Sequence, residues 1–148
     1  MKKTLQFTTL IHAPRSRVWD TMLEPASYRD WTAAFTEGSY YEGGWGQGEA
    51  IRFRGPDGNG MVAVIAENRR HEFISIEHRG FIQNGVEDTQ SEAVRAMFPA
   101  YENYRFSDEG GGTRLDISMD VTPDFEEMMN RLWPAALARL KALCERSG

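Results

Sequence analysis

The last stretch of the sequence, from Asp124 to Arg146, has the pattern of a long amphipathic helix. Apolar residues recur at three- and four-residue steps and form one broad stripe. The stripe consists of Phe125, Met128, Met129, Leu132, Trp133, Ala136, Leu137, Leu140, Leu143 and Cys144. Such a stripe needs a second layer to cover it, and a long helix laid across a curved sheet makes a container. Pro134 removes a backbone hydrogen bond halfway along, so we expect a bend there.

Glycine-rich turns divide the preceding sequence into short antiparallel strands. Asp57-Gly58 and Asn59-Gly60 are typical of tight hairpin turns, and glycines recur at 43–46 and 110–112. The predicted strands comprise residues 5–11, 37–42, 48–55, 60–67, 72–80, 101–108 and 113–121. Apolar and polar residues alternate cleanly in the last strand, which predicts one buried face. The register around Val64 stays open, because both faces of its strand carry apolar residues.

Two short helices are predicted between the first and second strands. Pro14 suits the first position of a helix, where its missing N–H would have no intrahelical partner, and Val18 and Trp19 begin an apolar face. A second helix restarts after Pro25 and carries Trp31 inward. These helices therefore interrupt the sheet after its first strand.

The segment 81–100 interrupts the later series of strands. Asn84-Gly85 predicts a turn, and residues 91–97 predict a helical turn that ends before Pro99. Long loops between strands often carry function or close over a site, and the sequence leaves the role of this one open.

The composition fits one domain that spans residues 1–148. A chain of 148 residues can bury a substantial core without disulfides or metals. Cys144 is the only cysteine, which excludes an intramolecular disulfide and favours a cytoplasmic location. The net charge of −5 provides no basic field for nucleic acid. We expect no membrane span, since no apolar segment is long enough, and polar residues near the N-terminus argue against a signal peptide.

Four segments carry a resemblance to a known superfamily: IHAPRSRVWDTML, YRDW, GMVAVIAENRRHEFISIEH and WPAALARLKALCE. With its predicted order of strand, two short helices, further strands and a long helix, the chain resembles the SRPBCC superfamily, also called START-like or Bet v 1-like. Within it, the chain looks most like the family related to the C-terminal domain of the activator of the Hsp90 ATPase. The similarity covers essentially the whole chain and departs mainly in the segment 81–100.

The resemblance implies an α+β helix-grip fold. Such a fold has a curved antiparallel sheet of about seven strands, two short helices after the first strand, and a long C-terminal helix across the sheet. In various members of the superfamily, the cavity between sheet and helix holds lipids, sterols, polyketides or other apolar molecules. The quoted motifs specify packing rather than chemistry, so the resemblance alone does not fix the function.

His78 and Tyr104 are the candidate polar residues of such a cavity. His78 shares a strand face with Ile76, and an imidazole among apolar groups can serve as acid, base or ligand-orienting donor. Tyr104 can place a hydroxyl in the cavity. The alternative is that both are ordinary hydrogen-bonded residues near the cavity rim. The predicted ligand-binding residues are Trp31, Phe53, Ile76, His78, Tyr104, Phe106, Ile117, Met129 and Trp133.

Several other charged residues are expected to face solvent. Arg52 and Arg54 alternate with apolar residues and are assigned to the outer face of their strand. Glu87 and Asp88 are adjacent, so they point apart and are expected to be solvated rather than a catalytic pair. The three histidines and one cysteine lack the spacing of a zinc site, so we expect no metal, and no motif indicates a cofactor.

Three functions are compatible with these observations. The first is the binding or carriage of a small hydrophobic molecule of lipid, polyketide or aromatic type. The second is an enzyme of cyclase, dehydratase or hydrolase type in the same cavity, with His78 and Tyr104 as acid and base, although no residue is assigned as catalytic. The third is a protein-interaction module with a chaperone partner. The sequence determines neither the ligand nor the oligomeric state.

Overall fold

The structure is a computed structural model that describes residues 3–146. These residues form an eight-stranded antiparallel sheet with a long helix across it. The strands are β1 (Lys3–Ile11), β2 (Tyr40–Gly43), β3 (Ala50–Arg54), β4 (Gly60–Arg69), β5 (Phe73–Gln83), β6 (Val86–Asp88), β7 (Ala100–Glu109) and β8 (Gly112–Val121). The helices are α1 (Arg15–Leu23), α2 (Pro25–Trp31), α3 (Glu92–Met97) and α4 (Pro123–Arg146), and Thr32–Ala34 forms a short 3₁₀ helix. The strand order is β1-β8-β7-β5-β4-β3-β2, and β6 pairs with β5.

The predicted helix-grip fold is confirmed, and the largest shifts in strand bounds are at the start of β2 and at the end of β5. β2 begins at Tyr40 rather than at residue 37, because Gly38 adopts a φ of +91° that interrupts extended backbone. β5 continues to Gln83 rather than ending at residue 80, since a turn at Asn84-Gly85 returns the chain as β6 against its last residues. Both turn residues have positive φ, as tight hairpin turns require.

The segment 81–100 contains a short strand and a short helix. The Ser91 hydroxyl caps α3 by accepting a hydrogen bond from the Val94 amide at 3.3 Å. Val94 is buried against the outer face of the sheet. Met97 and Phe98 then bring the chain to the edge of a chamber on the inner face. The segment therefore covers part of the back of the sheet before it reaches the front.

The apolar stripe of α4 packs on the inner face of the sheet. Trp133, Ala136, Leu137, Leu140 and Cys144 are buried along it. The helices α1 and α2 pack against α4 as well. Together they form one continuous core with the inward residues of the central strands.

Two irregularities fix the register that the sequence left open in β4. Ala63 and Ile65 are fully buried, and the pairing with β5 shifts once between Val62 and Ala63 and again between Ile65 and Glu67. Bulges of this kind bend a strand and increase its twist. They therefore help the sheet to curve and to leave space beneath the long C-terminal helix.

The helix α4 runs through Pro134 as one element of 24 residues. Asp124 and Glu126 lie in its first turn and Arg146 in its last, where their charges are favourable toward the helix dipole. The bend expected at Pro134 stays a prediction. Within residues 3–146, no helix has the run of apolar residues that a membrane crossing requires.

Cys144 lies on the buried side of α4 as a free thiol that is 0% exposed. Burial raises the pKa of this thiol from 9.0 to about 11. Because the folded-state pKa is the higher one, the thiol contributes stability that is present below pH 9.0 and is lost as the pH rises toward about 11. At neutral pH, Cys144 is a small core residue and not a nucleophile.

We predict that iodoacetamide modifies Cys144 slowly in the folded protein at about pH 8. The raised pKa alone lowers the thiolate fraction roughly a hundredfold, and burial adds a steric barrier. Alkylation followed by mass spectrometry, with and without denaturing urea, measures the ratio of rates. Cys144→Ala should give no adduct in either condition, and equal rates in folded and unfolded protein would contradict the assignment.

Candidate functional site

A chamber of about 640 Å³ lies between the inner face of the sheet, α2 and the first half of α4. Aromatic side chains dominate its wall. They are Tyr28, Trp31, Phe35, Trp45, Phe53, Phe81, Phe98, Tyr101, Tyr104, Phe125 and Trp133. Several of the rings contact one another, as at Trp31 and Trp133, whose centroids are 6.1 Å apart. The volume falls in the range of small-molecule sites.

The second helix positions one side of this wall. The Trp31 indole N–H donates to the Met22 carbonyl at 3.1 Å, and the Tyr41 hydroxyl donates to the Leu23 carbonyl at 2.5 Å. Tyr28 packs edge-on against Tyr41, with ring centroids 4.9 Å apart. Their polar atoms thus anchor Trp31 and Tyr41 to backbone, and the apolar surface of Trp31 remains available to the chamber.

Most of the residues predicted from sequence line this chamber. They are Trp31, Phe53, Ile76, His78, Tyr104, Met129 and Trp133. Phe106 and Ile117 are the exceptions among the described residues, because other side chains cover them. Phe106 packs against Trp19 of α1 with centroids 5.2 Å apart, and Ile117 is 2% exposed between the neighbouring strands. Both point inward, but they lie in the core beside the chamber and not on its wall.

His78, Glu102 and Tyr104 form a hydrogen-bonded cluster on the sheet side of the chamber. His78 Nε2 is 2.9 Å from Glu102 Oε1, and the Tyr104 hydroxyl donates to Glu102 Oε2. The pairing of β5 with β7 places these residues together, since Ile76 lies opposite Glu102 and Ile74 opposite Tyr104. One carboxylate therefore connects the two polar residues that the sequence indicated separately.

Burial controls the protonation of the phenols near this cluster. Burial raises the pKa of Tyr104 well above 10.0, and the negative charge of Glu102 and its hydrogen bond raise it further. The pKa of Tyr28 is also raised, first by burial and then by the charges of Glu102 and Tyr41. Both phenols therefore remain neutral at physiological pH, and Tyr104 acts as a donor to the carboxylate.

The sequence contains a signal for Glu102, which is not among the predicted site residues. Glu102 lies two residues before Tyr104, so strand alternation places both on the same face. A charged residue on an inward face is uncommon unless it is paired. Its partner His78 is 24 positions away in sequence, and the alternation of one strand does not identify it.

Three residues on the wall carry buried polar atoms that have no hydrogen-bond partner within residues 3–146. These atoms are Trp45 Nε1, His78 Nδ1 and Thr122 Oγ1. Buried polar atoms in native proteins are usually paired with protein, water or ligand. Water or polar groups of a bound molecule can complete the hydrogen bonding of these three atoms.

Methionines are concentrated on the same wall. Within residues 3–146, every methionine lines the chamber: Met22, Met61, Met97, Met119, Met128 and Met129. The Met119 sulfur accepts a hydrogen bond from the Trp133 indole N–H at 2.8 Å. Methionine side chains are flexible and polarisable, so this wall can adapt to ligands of different outline.

Of the charged residues that were expected to face solvent, Arg52 and Glu87 lie on the outer side of the sheet, whereas Arg54 lies at the chamber wall. Arg52 pairs with Glu87 on the outer side of the sheet, and Glu87 is exposed as expected. Arg54 differs, because it lies at the end of β3 and its side chain contributes to the chamber wall. Within residues 3–146, no group of three His, Cys, Asp or Glu side chains is arranged to hold a metal ion.

Comparison with known proteins identifies a sequence family. The profile described as activator of Hsp90 ATPase homolog 1-like protein matches residues 12–145. A comparison with curated proteins finds no match. Among solved structures, protein MLL2253 from Mesorhizobium loti is similar, with 14% sequence identity and a TM-score of 0.76 over 99% of each chain.

Two further solved structures share the fold. The Aha1 dimer from Colwellia psychrerythraea, a solution structure, has 17% identity and a TM-score of 0.72, and the match covers 97% of this chain and 96% of that one. DynU16, from the dynemicin biosynthetic locus, has 13% identity and a TM-score of 0.67, with 93% of this chain and 45% of that chain covered. At these identities the likeness shows a common fold and no more.

We predict that Tyr104→Phe lowers the free energy of unfolding at neutral pH by about 2 kcal/mol, because it removes a buried donor to a charged acceptor. The unaltered protein should also lose stability as the pH rises above 10.0, since the unfolded state then releases a proton that folded Tyr104 retains. The Tyr104→Phe variant should lose less free energy of unfolding over the same rise in pH. Urea unfolding at about pH 7 and about pH 11 measures both effects.

Tyr101→Phe is the matched control for this prediction. Tyr101 donates to Glu77 at 3.2 Å and is 39% exposed, so its hydroxyl makes the same type of contact near solvent. Its removal should change stability by no more than about 0.5 kcal/mol. Equal losses in the two variants would show that the inner cluster contributes no more than a surface contact.

Proposed function

The chain belongs to the activator of Hsp90 ATPase homolog 1-like family of the SRPBCC superfamily, and from this premise we propose that it binds a small hydrophobic molecule in the chamber between the sheet and α4. The carrying observation is the chamber itself, about 640 Å³ in volume, with eleven aromatic and six methionine side chains in its wall. Apolar walls supply affinity through the removal of ligand surface from water. The ligand class is lipid, polyketide or aromatic.

The polar groups on the wall support a ligand that is apolar but not purely hydrocarbon. The cluster of His78, Glu102 and Tyr104, together with the unpaired Trp45 Nε1 and Thr122 Oγ1, offers both donors and acceptors. A few polar groups in an apolar site orient a ligand and discriminate among similar shapes. DynU16 comes from the dynemicin biosynthetic locus, and its shared fold is consistent with a small-molecule ligand in this chamber.

A second candidate function is catalysis on such a ligand. The observation that favours it is the carboxylate bridge between His78 and Tyr104, which holds an imidazole and a phenol in fixed positions beside the same chamber. Groups held in this way can transfer protons to and from a bound molecule. Loss of turnover in a folded His78→Ala variant, once a substrate is known, distinguishes an enzyme from a carrier. A chaperone-binding role, which the family description suggests, is less supported, because the observation that carries the proposal is a cavity and not a protein-binding surface.

We expect co-purifying or added ligands to stabilise the protein. A ligand present at 100 times its Kd should raise the free energy of unfolding by about 2.7 kcal/mol, equivalent to a rise in Tm of roughly 5–10 °C. A panel of fatty acids, sterols and polycyclic aromatic compounds, tested by thermal shift and native mass spectrometry, measures the effect. The absence of both a bound molecule and any shift would contradict the proposed function.

Met129→Trp tests whether the ligand occupies the chamber. The larger ring fills space on the α4 side of the wall, so binding should weaken by about tenfold or more. Val86→Trp is the control, because Val86 is 65% exposed on β6 and lies outside the wall. Both variants are first compared by circular dichroism. Unchanged affinity in a folded Met129→Trp protein would place the ligand elsewhere.

A further inference from the structure

The charges on the chamber wall are predominantly negative. Asp57, Glu102 and Asp120 contribute to it, whereas Arg54 is the only lysine or arginine that does so within residues 3–146. The Arg54 guanidinium already has an anionic partner, since Nε donates to Glu42 at 2.6 Å, and another nitrogen donates to the Gly58 carbonyl at 2.8 Å. The described part of the wall thus offers an anionic ligand no unpaired arginine or lysine.

Glu102 retains acceptor capacity that a ligand can use. A carboxylate offers about four lone-pair positions. Its described hydrogen bonds use one for His78 Nε2 and one for the Tyr104 hydroxyl, and its side chain keeps 16% of its exposure. The His78 ring is held against the same carboxylate. A donor on a ligand can therefore bond to Glu102 without displacing either residue.

Aromatic rings lie around this carboxylate. Tyr104 bonds to it directly, and Tyr28 is near enough for the charge of Glu102 to affect its pKa. The Phe53 ring lies 5.6 Å from His78. Electron-rich ring faces attract organic cations, most strongly where water is scarce. A partly buried carboxylate among aromatic rings can recognise an ammonium group that is attached to an apolar body.

We propose that the ligand of this chamber is a lipophilic amine, whose ammonium group donates to Glu102 and whose apolar body contacts the aromatic and methionine wall. This inference rests on the proposed function and specifies the charge of the ligand. Fatty acids and other carboxylates are disfavoured, because a second buried carboxylate beside Glu102 would lose its hydration without gaining a cation. Neutral ligands of the same shape bind with intermediate affinity.

Three probes with one ring system test the charge preference directly. They are pyrenemethylamine, pyrenemethanol and pyrenecarboxylate at about pH 7, where the first is cationic and the last anionic. Trp31, Trp45 and Trp133 line the chamber, so energy transfer from tryptophan to pyrene reports occupancy. The amine should bind about tenfold more tightly than the alcohol, and the carboxylate should bind more weakly than the alcohol.

Glu102→Gln tests the residue that confers the preference. The substitution keeps the shape and removes the charge, so the amine should fall to the affinity of the alcohol while the alcohol changes little. Glu77→Gln is the matched control. Glu77 accepts hydrogen bonds from Tyr101 at 3.2 Å and Arg79 at 3.0 Å and does not contribute to the chamber wall. The amine preference should persist in that variant.

The outcomes separate this inference from the proposed function. Equal affinity for all three probes overturns the amine preference and leaves a hydrophobic binding protein. Failure of every probe to bind counts against both. An amine preference that survives in Glu102→Gln overturns the role of Glu102. Should that variant fail to fold, the order of the three probes on the unaltered protein still decides whether the ligand is cationic.

Discussion

The burial of Trp133 is the constraint on which the rest of the structure depends. Its ring, 2% exposed, lies 5.8 Å from Phe7 and 4.9 Å from Phe35, and its indole N–H bonds to Met119. One residue of α4 thereby contacts the first strand, the last strand and the turn that follows α2. Beyond it, the helix packs directly on the sheet through Leu137 and its neighbours. Before it, the helix bounds a chamber. The first half of this helix thus borders the cavity and the second half packs in the core, with Trp133 at the boundary.

The sequence predicted the features that follow from a repeated pattern of apolar residues, because such a pattern remains recognisable when a few positions depart from it. The stripe of α4 and the alternation in β8 are of this kind. Features that rest on pairing between distant strands were harder. Glu102 meets His78 only because β5 and β7 adopt one register, and alternation within either strand contains no information about that register. Phe106 and Ile117 were assigned to the right face, yet alternation specifies the face of a strand and not the depth beneath a covering helix.

The polar cluster resolves an apparent conflict between stability and binding. Burial of a carboxylate is unfavourable unless donors compensate it, and here a phenol that cannot ionise at neutral pH and an imidazole share one carboxylate. The same arrangement leaves part of that carboxylate facing the chamber. The compensation therefore leaves the carboxylate with acceptor capacity for the proposed ligand, and it lies in a contact between two adjacent strands.

The methionine wall has a chemical consequence of its own. Oxidation of a thioether to a sulfoxide turns a flexible apolar group into a polar one, and in this chain the described methionines all border one chamber. Oxidative damage would therefore converge on a single surface instead of being scattered over the fold. Met119, whose sulfur accepts the hydrogen bond from Trp133, is part of that surface. Methionine oxidation would therefore change the polarity of the cavity and also alter a contact of the residue that positions the longest helix.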